Sequence, residues 1–334
     1  MFKILKRAFY FSFITLFIFS VIGIFMKNFS QEKIKWGVTY SQIYARELGL
    51  DWQQAYLDIL DDLQVKNLRL VVYWPLVEPK VGEFDFTDVD WQIAEAQKRG
   101  VDVILAIGER VPRWPECHTP AWAINLPAEA KEDRVVILYE ETVKHFQIYS
   151  NITAWQVANE PFLKSFGKCN EITSEQLANY IKIIKTYDQR KRPIILTESG
   201  ELSTWIKSAK LADIIGTSLY RTVWNQYFGY WRYPWPPAYY RWHADLIMKF
   251  YPVEKVIISE LQAEPWPPGK HILQTTLEEQ FKSFDLKRLQ DNISYTKKTG
   301  FDEVYLWGVE WWYWLKEKQN HPEFWLEAKK SFQQ

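Results

Sequence analysis

Net charge is the first thing that this 334-residue sequence lacks. Its 41 Lys and Arg side chains equal its 41 Asp and Glu side chains, and only five His residues accompany them. A chain without excess positive charge has no electrostatic footprint for nucleic acid or for an acidic surface. The balance favours a neutral or weakly charged ligand and no nucleic acid, and no pattern in the sequence predicts a protein partner.

The motifs that bind cofactors and metals are also missing. The sequence has no Gly-x-Gly-x-x-Gly or Gly-x-x-x-x-Gly-Lys for nucleotide phosphates, no His-Glu-x-x-His for zinc and no Gly-x-Ser-x-Gly nucleophile elbow. Cysteine is almost absent, and Cys117 and Cys169 alone are too few ligands to form a zinc site. We therefore predict neither a cofactor nor a metal.

Long hydrophobic runs are confined to the N-terminus. Residues 8–26 form 19 consecutive positions without a charge, which as a helix would extend about 28 Å and nearly span a ~30 Å hydrocarbon layer. Lys3, Lys6 and Arg7 precede the run, so the positive-inside rule predicts a cytoplasmic N-terminus and an extracytoplasmic remainder. The alternative is a cleaved signal peptide on a secreted protein, but such peptides normally have a shorter apolar segment and end in small residues.

The position of the hydrophobic run divides the sequence into three predicted segments. We predict a cytoplasmic stub and transmembrane signal-anchor over residues 1–27, a short linker over 28–35, and one globular domain over 36–334. No Ser/Gly-rich segment or repeat divides that domain further.

Within the domain, short apolar runs alternate with segments of helical period, the pattern of βα units with a parallel sheet. The predicted strands are Trp36–Tyr40, Leu68–Tyr73, Val103–Ile107, Ala154–Ala158, Ile194–Thr197, Ile214–Leu219, Val256–Ser259 and Val304–Trp307. The predicted helices are Leu50–Leu63, Phe86–Arg99, Asp133–Tyr149, Ser174–Gln189, Trp205–Lys210, Tyr239–Phe250 and Leu277–Lys298. Eight strands at this spacing predict an α/β fold, a (β/α)8 TIM barrel preceded by one N-terminal transmembrane helix. An open doubly wound sheet would alternate similarly, but the missing phosphate motifs count against it.

Two of the predicted strands end in a glutamate. Glu160 follows the fourth strand and Glu260 follows the seventh. In a parallel barrel the strand ends share one rim, so both carboxyl groups are expected there. Glycoside cleavage needs two such groups, one to donate a proton and one to attack or to activate water. The alternative is a pair of solvated glutamates without a chemical role.

The residues around these glutamates resemble those of clan A glycoside hydrolases, the retaining (β/α)8 enzymes that include cellulases, mannanases and β-galactosidases. Asn159-Glu160-Pro161 and Ile258-Ser259-Glu260 are similar to the clan's pattern in residue type, strand number and order. The resemblance implies that Glu160 is the general acid/base and that Glu260 is the nucleophile. It covers the whole barrel and does not specify one substrate.

The resemblance implies roles for four further residues. Arg69 would hold the nucleophile carboxylate ionised, and Tyr220 would hydrogen-bond it. Asn159 would bind the sugar 2-hydroxyl, and Trp307 would form the floor of the subsite for the cleaved sugar. The alternatives are a rim salt bridge for Arg69, a core tyrosine for Tyr220 and a barrel-core tryptophan for Trp307.

The sequence departs from the cellulase-type pattern in two respects. Family 5 enzymes usually carry histidines near strands three and six, where this chain offers Glu109 and Ser218. Three other glutamates besides Glu109 compete for the same rim, but none combines the strand position and neighbours of the chosen pair. These rivals are Glu198, Glu264 and Glu310.

Aromatic residues are abundant. The chain has 18 Trp, 19 Tyr and 20 Phe, 17% of its residues, and many of these rings follow strands three, six and eight. Flat apolar rings with polar edges suit the faces of sugars, so these loops predict a sugar-stacking cleft. Membrane-surface contact is the alternative. The candidate subsite aromatics are Trp114, Trp224, Trp231 and Trp311.

Cys117 and Cys169 fall in the loops after the third and fourth strands. Neighbouring strands of a barrel place their loops side by side, and an extracytoplasmic location would allow oxidation. We predict a disulfide between them, with two buried free thiols as the alternative.

Together these features predict a retaining hydrolase of β-linked glycans that uses two glutamates and acts on an oligo- or polysaccharide. Transglycosylation by the same residues and a catalytically silent, membrane-tethered carbohydrate-binding barrel are the alternatives.

Overall fold

The computed structural model describes residues 29–269 and 271–333, and its centre is a closed barrel of eight parallel strands. The strands of the described residues are β1 Lys35–Thr39, β2 Asn67–Val71, β3 Asp102–Ile107, β4 Ile152–Val157, β5 Ile194–Glu198, β6 Ile214–Leu219, β7 Thr222–Asn225, β8 Gly229–Arg232, β9 Lys255–Gln262 and β10 Glu303–Trp307. The barrel closes in the order β1-β10-β9-β6-β5-β4-β3-β2, while β7 and β8 form a separate hairpin.

Helices surround the barrel. Those of the described residues are α1 Gln42–Glu47, α2 Trp52–Asp61, α3 Trp74–Val77, α4 Thr87–Lys98, α5 Ala128–Phe146, α6 Ser174–Tyr187, α7 Ile206–Ala209, α8 Pro237–Phe250, α9 Leu277–Ser283, α10 Leu286–Lys297, α11 Val309–Lys318 and α12 Glu323–Phe332. Every predicted strand overlaps a barrel strand, so the predicted (β/α)8 fold is confirmed and the open sheet is excluded.

The strands bury side chains on both of their faces. One large apolar cluster joins their outer faces to the helices, and a small one joins Ile104, Ala154, Ile195, Ile257 and Tyr305 inside the barrel. Gly37 is required where Tyr305 crosses the interior, because a Cβ at residue 37 would lie 2.7 Å from the Tyr305 ring. Because side chains fill the barrel interior, a ligand is expected to bind at the carboxyl ends of the strands.

An irregularity in β9 determines which way Glu260 points. Ile258 and Leu261 both belong to the outer cluster although they are three positions apart, which strict alternation does not allow. The register with β6 shifts between Thr217 and Ser218, and Ser218 pairs with Glu260. An extra residue of this kind is a β-bulge, and it lets Glu260 face the barrel interior. The strand continues to Gln262, so Glu260 lies within it and not beyond its end.

The largest corrections concern the segments after the sixth and eighth strands. Residues 222–232, predicted as part of an aromatic loop, form the β7–β8 hairpin. Residues 311–314, predicted as a ring-bearing loop, lie within α11 and are buried. Gly308, with φ of 133°, ends the strand segment, and Glu310 lies in the first turn of the helix, where a negative charge is favourable.

A smaller correction concerns the predicted helix Leu277–Lys298, which is two helices. Phe284 adopts an extended conformation and ends α9. Asp285 is the N-cap of α10, and its side chain accepts a hydrogen bond from the backbone N–H of Arg288.

The predicted membrane anchor cannot be compared with this fold. Residues 1–27 lie outside the described residues. Across 29–269 and 271–333, no helix combines the length and apolar character needed to cross a membrane.

Candidate active site

Glu160 lies just beyond β4, on a backbone of unusual conformation. Ala158 and Glu160 have φ values of 58° and 39°, in the left-handed region that side chains other than glycine rarely adopt. The backbone N–H of Glu160 donates to Thr197 Oγ1 at 2.8 Å, and the Ser218 hydroxyl donates to Glu160 Oε1 at 3.2 Å. These contacts from β5 and β6 hold the carboxyl group over the barrel.

The surroundings of Glu160 favour its protonated form. The residue is only 7% exposed. Burial is the largest cause that raises the pKa of this carboxyl group well above its ordinary value, followed by the negative charges of Glu116, Glu260 and Glu198. A buried, protonated carboxylic acid is suited to proton donation.

Glu260 has the opposite environment. Arg69 Nη1 donates to Glu260 Oε1 at 2.8 Å in an ion pair, and the Tyr220 hydroxyl donates to Oε2 at 3.2 Å. Glu260 is 6% exposed and Arg69 is fully buried. The structure therefore brings together the predicted nucleophile and the two residues that the resemblance assigned to it.

Arg69 connects several strand ends. Its Nε donates to Gln156 Oε1 at 2.6 Å, and its Nη2 donates to Asn159 Oδ1 at 2.8 Å. Thr197 also donates to Asn159 Oδ1, at 3.1 Å. One guanidinium thus holds both Glu260 and Asn159, which fixes their relative positions.

The structure adds a carboxylate that the sequence interpretation missed. Glu116 Oε1 accepts a hydrogen bond from Asn159 Nδ2 at 3.0 Å, and Oε2 accepts one from Arg110 Nη2 at 3.0 Å. The side chain is buried, and burial raises its pKa to about 7. The only signal in the sequence was its position next to Cys117 in the loop after the third strand.

Trp307, at the end of β10, lies in a cluster around Arg113. The Arg113 guanidinium carbon lies 4.1 Å from the centre of the Trp307 ring and 4.0 Å from that of Tyr44. Arg113 also forms ion pairs with two of the rival carboxylates, Glu264 and Glu310. Trp307 is buried and donates to Glu264 Oε1 at 2.7 Å, and its role as a subsite floor stays a prediction.

The other two rivals have partners elsewhere. Glu109 accepts from Thr119 at 2.5 Å and lies 3.3 Å from Lys131. Glu198 is buried and accepts from Ser203 and Ser208. Among residues 29–269 and 271–333, no group of three His, Cys, Asp or Glu side chains could hold a metal ion.

The predicted disulfide is confirmed. Cys117 and Cys169 are bonded, with Cα atoms 5.3 Å apart and a sequence separation of 52. The bond joins the loop after β3 to the loop after β4. Arg110 reinforces this junction, because it donates to the backbone oxygens of Leu163 and Phe166 at 3.0 and 3.1 Å.

A row of aromatic rings leads from the protein surface to the nucleophile. Trp114 is 55% exposed, and its ring centre lies 5.5 Å from that of Phe166. Phe166 is 5.3 Å from Trp266, which is 5.2 Å from Tyr220, the residue that donates to Glu260. We call Trp114, Phe166, Trp266 and Tyr220 the aromatic row. Phe166 and Trp266 were not predicted, although Trp266 lies in a proline-rich loop six positions after the nucleophile.

The remaining candidate aromatics lie apart from this row. Trp224 and Trp231 are in the β7–β8 hairpin, where Trp231 is exposed and packs near Phe228. Trp311 is fully buried, and its indole N–H donates to Gln280 at 2.9 Å. Because Trp311 has no exposed surface, a sugar cannot stack on it in this structure, and we no longer include it among the candidates.

Comparison with known proteins supports the fold assignment. No family model and no curated protein matches the chain. Several solved structures do. A glycosylated family 10 endo-β-1,4-xylanase from Gloeophyllum trabeum is 14% identical, with a TM-score of 0.53, and the alignment covers 85% of this chain and 87% of that one. A GH5_18 protein from Bifidobacterium longum subsp. longum is 15% identical, with a TM-score of 0.56 and coverages of 83% and 70%.

A β-galactosidase from Marinomonas ef1 is 13% identical, with a TM-score of 0.54, and the alignment covers 82% of this chain. The chain spans about half the length of the β-galactosidases that it matches. Identities this low establish the fold alone. The chain thus has a closed parallel barrel like those of the glycoside hydrolase structures that it matches, as the resemblance implied.

Proposed function

We propose that this protein is a retaining glycoside hydrolase that cleaves β-linked glycans. The observation that carries the proposal is the contrast between two neighbouring glutamates on one rim. Burial and carboxylate neighbours favour the protonated form of Glu160, while the Arg69 guanidinium lies against Glu260. A proton donor and a carboxylate nucleophile are the two groups that double displacement requires.

In the first step, Glu260 attacks the anomeric carbon while Glu160 donates its proton to the departing oxygen, and a glycosyl-enzyme forms. In the second step, Glu160 removes a proton from water, which displaces Glu260 and releases the sugar. We expect the two carboxyl groups to lie about 5 to 5.5 Å apart, the separation typical of retaining enzymes. Transfer to a second sugar in place of water would use the same residues.

A glycan substrate agrees with the aromatic row and with the absence of net charge. Among the structural neighbours are a xylanase, β-galactosidases, an exo-β-1,4-mannosidase and a GH5_18 protein in complex with Manβ1-4GlcNAc. These names describe those proteins, and they support a β-linked oligo- or polysaccharide as the substrate class here.

The test is turnover by the folded domain. We expect cleavage of at least one member of a panel of aryl β-glycosides, β-glucans, mannans, xylans and galactans. Glu260→Ala should abolish turnover. Glu160→Ala should slow glycosides with poor leaving groups more than activated aryl glycosides, because only the former need a proton donor. Glu109→Gln, which changes a carboxylate outside the pair, is the matched control and should stay active.

Two outcomes would contradict the proposal. A folded protein that binds glycans but cleaves none would favour the carbohydrate-binding barrel. Equal losses of Glu160→Ala on both leaving-group classes would remove the acid/base assignment.

We also propose that residues 1–27 anchor the catalytic domain, residues 36–334, on the extracytoplasmic side of a membrane. The uncharged run over residues 8–26 and the preceding lysines and arginine support this location.

A further inference from the structure

A double-displacement mechanism uses two carboxyl groups, but a third lies among them. Glu116 contacts Asn159, the residue before the proposed acid/base, and its charge acts on both Glu160 and Glu260. It belongs to no strand of the barrel and comes from the loop between β3 and α5. A buried carboxylate costs free energy unless it is partnered, so its position among other carboxylates requires a reason.

The surrounding loops fix the Glu116 side chain. The next residue, Cys117, is bonded to Cys169, and Arg110 donates to Glu116 Oε2 from both Nε and Nη2 at 3.2 and 3.0 Å. Gly167 leaves room for the carboxylate, because a Cβ there would lie 3.2 Å from Glu116 Oε2. Arg110 and Asn159 therefore hold the carboxylate, and the disulfide constrains the neighbouring backbone, before any substrate arrives.

Glu116 also orients the amide of Asn159. The amide oxygen accepts from Arg69, Thr197 and Gln156, so it points toward the barrel. The amide nitrogen has two hydrogens, and one of them is donated to Glu116. The other hydrogen is then fixed in direction and is left for a ligand.

We propose that Glu116 is a positioning residue, which directs the free N–H of Asn159 toward a sugar hydroxyl and places a third negative charge beside the catalytic pair. This inference rests on the proposed function. The disulfide-linked loop would then help to recognise that hydroxyl group and to set the pH range in which Glu160 is protonated.

The charge effect has a definite sign. Three negative charges raise the pKa of Glu160, those of Glu116 in the loop after β3, Glu198 in β5 and Glu260 in β9. The positive charge of Arg110 lowers it. The Tyr220 hydroxyl is also close enough to interact with the charge of Glu160. After burial, the negative charge of Glu116 is the largest cause that raises the pKa of Glu160. Removing that charge must lower the pKa of Glu160.

Two substitutions separate position from charge. Glu116→Gln keeps the size and removes the charge, so the alkaline limb of the kcat/KM profile should move to lower pH by about one unit. Glu116→Asp keeps the charge but shortens the reach to Asn159. For Glu116→Asp we expect the alkaline limb to stay in place, while kcat/KM falls about tenfold on an aryl glycoside and far less on its 2-deoxy analogue.

Glu109→Gln is the matched control, because Glu109 lies in the same loop and contacts Thr119 and Lys131 instead of the network. It should change neither the alkaline limb nor the discrimination against the 2-deoxy substrate. An unmoved limb in Glu116→Gln, or equal losses on both substrates in Glu116→Asp, would overturn the inference. If Glu116→Gln does not fold, Glu116→Asp alone decides the positional part, because it retains the charge that Arg110 requires.

A substrate-free measurement distinguishes this failure from failure of the proposed function. Infrared difference titration follows the protonated carboxyl band of Glu160, which is identified by its loss in Glu160→Gln. The midpoint of that band should fall in Glu116→Gln. Absence of turnover by the wild-type protein would reject the proposed function, whereas an unshifted midpoint would reject the coupling between Glu116 and Glu160 even in an active enzyme.

Discussion

The different roles proposed for Glu160 and Glu260 depend on which charges lie near each carboxyl group. Three carboxylates surround Glu160, and a buried guanidinium lies against Glu260. The same side-chain type can therefore act as an acid in one position and as a nucleophile in the other. Arg69 contacts both parts of the site, because it donates to Glu260 and also to Asn159, the residue before Glu160.

The raised pKa of Glu160 predicts the pH dependence of turnover. The acid must be protonated in the first step, so kcat/KM should be retained below the pKa of Glu160 and lost as the pH rises through it. The midpoint should lie well above the ordinary glutamic acid value of about 4.3. The measurement is kcat/KM from acid to alkaline pH for the wild-type protein and for Glu160→Ala with an activated aryl glycoside. An alkaline limb that persists in Glu160→Ala would assign this ionisation to another group.

The sequence predicted those site residues whose positions are determined by the barrel strands. Glu160, Glu260, Arg69 and Tyr220 follow or occupy strands, and parallel strands bring such residues to one rim. Glu116 could not be predicted as their neighbour, because it lies in a long loop whose path depends on tertiary contacts.

Among the elements, β9 shows how a small irregularity serves the site. Without the extra residue in β9 opposite Thr217 and Ser218, strict alternation from Ile258 would turn both Glu260 and Leu261 to the wrong face. The sequence predicted this strand from its apolar run but not the bulge, because a bulge is defined by pairing with neighbouring strands. The aromatic residues of α11 were mistaken for a loop, since rings at helical spacing can equally be core or surface.

The disulfide joins two loops that frame the candidate site, and its loss should destabilise the domain. Opening a loop of 52 residues removes a constraint on the unfolded chain that the chain-entropy model values at about 4 kcal/mol, less any strain. Paired Cys117→Ser and Cys169→Ser substitutions should lower the free energy of unfolding in urea, with the reduced wild-type protein as the comparison. No difference between oxidised and reduced protein would contradict this expectation.

Across the whole molecule, the aromatic row connects the exposed rim to Glu260. It combines residues from the disulfide-linked loops, the β9 loop and the end of β6, so no single segment contains it. A row of rings of this kind can support several sugar units in succession.

Removing the outermost ring should therefore affect long substrates selectively. Trp114→Ala should raise KM for a polysaccharide or long oligosaccharide by about three- to tenfold and leave kinetics on a small aryl glycoside nearly unchanged. Trp242→Ala is the matched control, because Trp242 is 45% exposed on α8 and outside the row. Equal effects of the two substitutions, or a loss on the aryl glycoside, would show that Trp114 does not bind distant sugar units.

The location of the molecule is tested by its N-terminal segment. The full chain should sediment with membranes and resist extraction at high salt, because residues 8–26 are uncharged. Residues 28–334 alone should remain in the supernatant. A full chain found in the supernatant with its N-terminus removed would favour the cleaved signal peptide.

The assignment of Glu260 as nucleophile is the central claim, and trapping the covalent intermediate tests it most directly. A 2-deoxy-2-fluoro aryl glycoside of the cleaved sugar should accumulate as a glycosyl-enzyme, because fluorine at this position slows both steps and an activated leaving group allows the first. Peptide mass spectrometry should then find one sugar on the peptide that contains Glu260 and none in Glu260→Ala. Label on another carboxylate, such as Glu264, or turnover without any labelled peptide would contradict the mechanism.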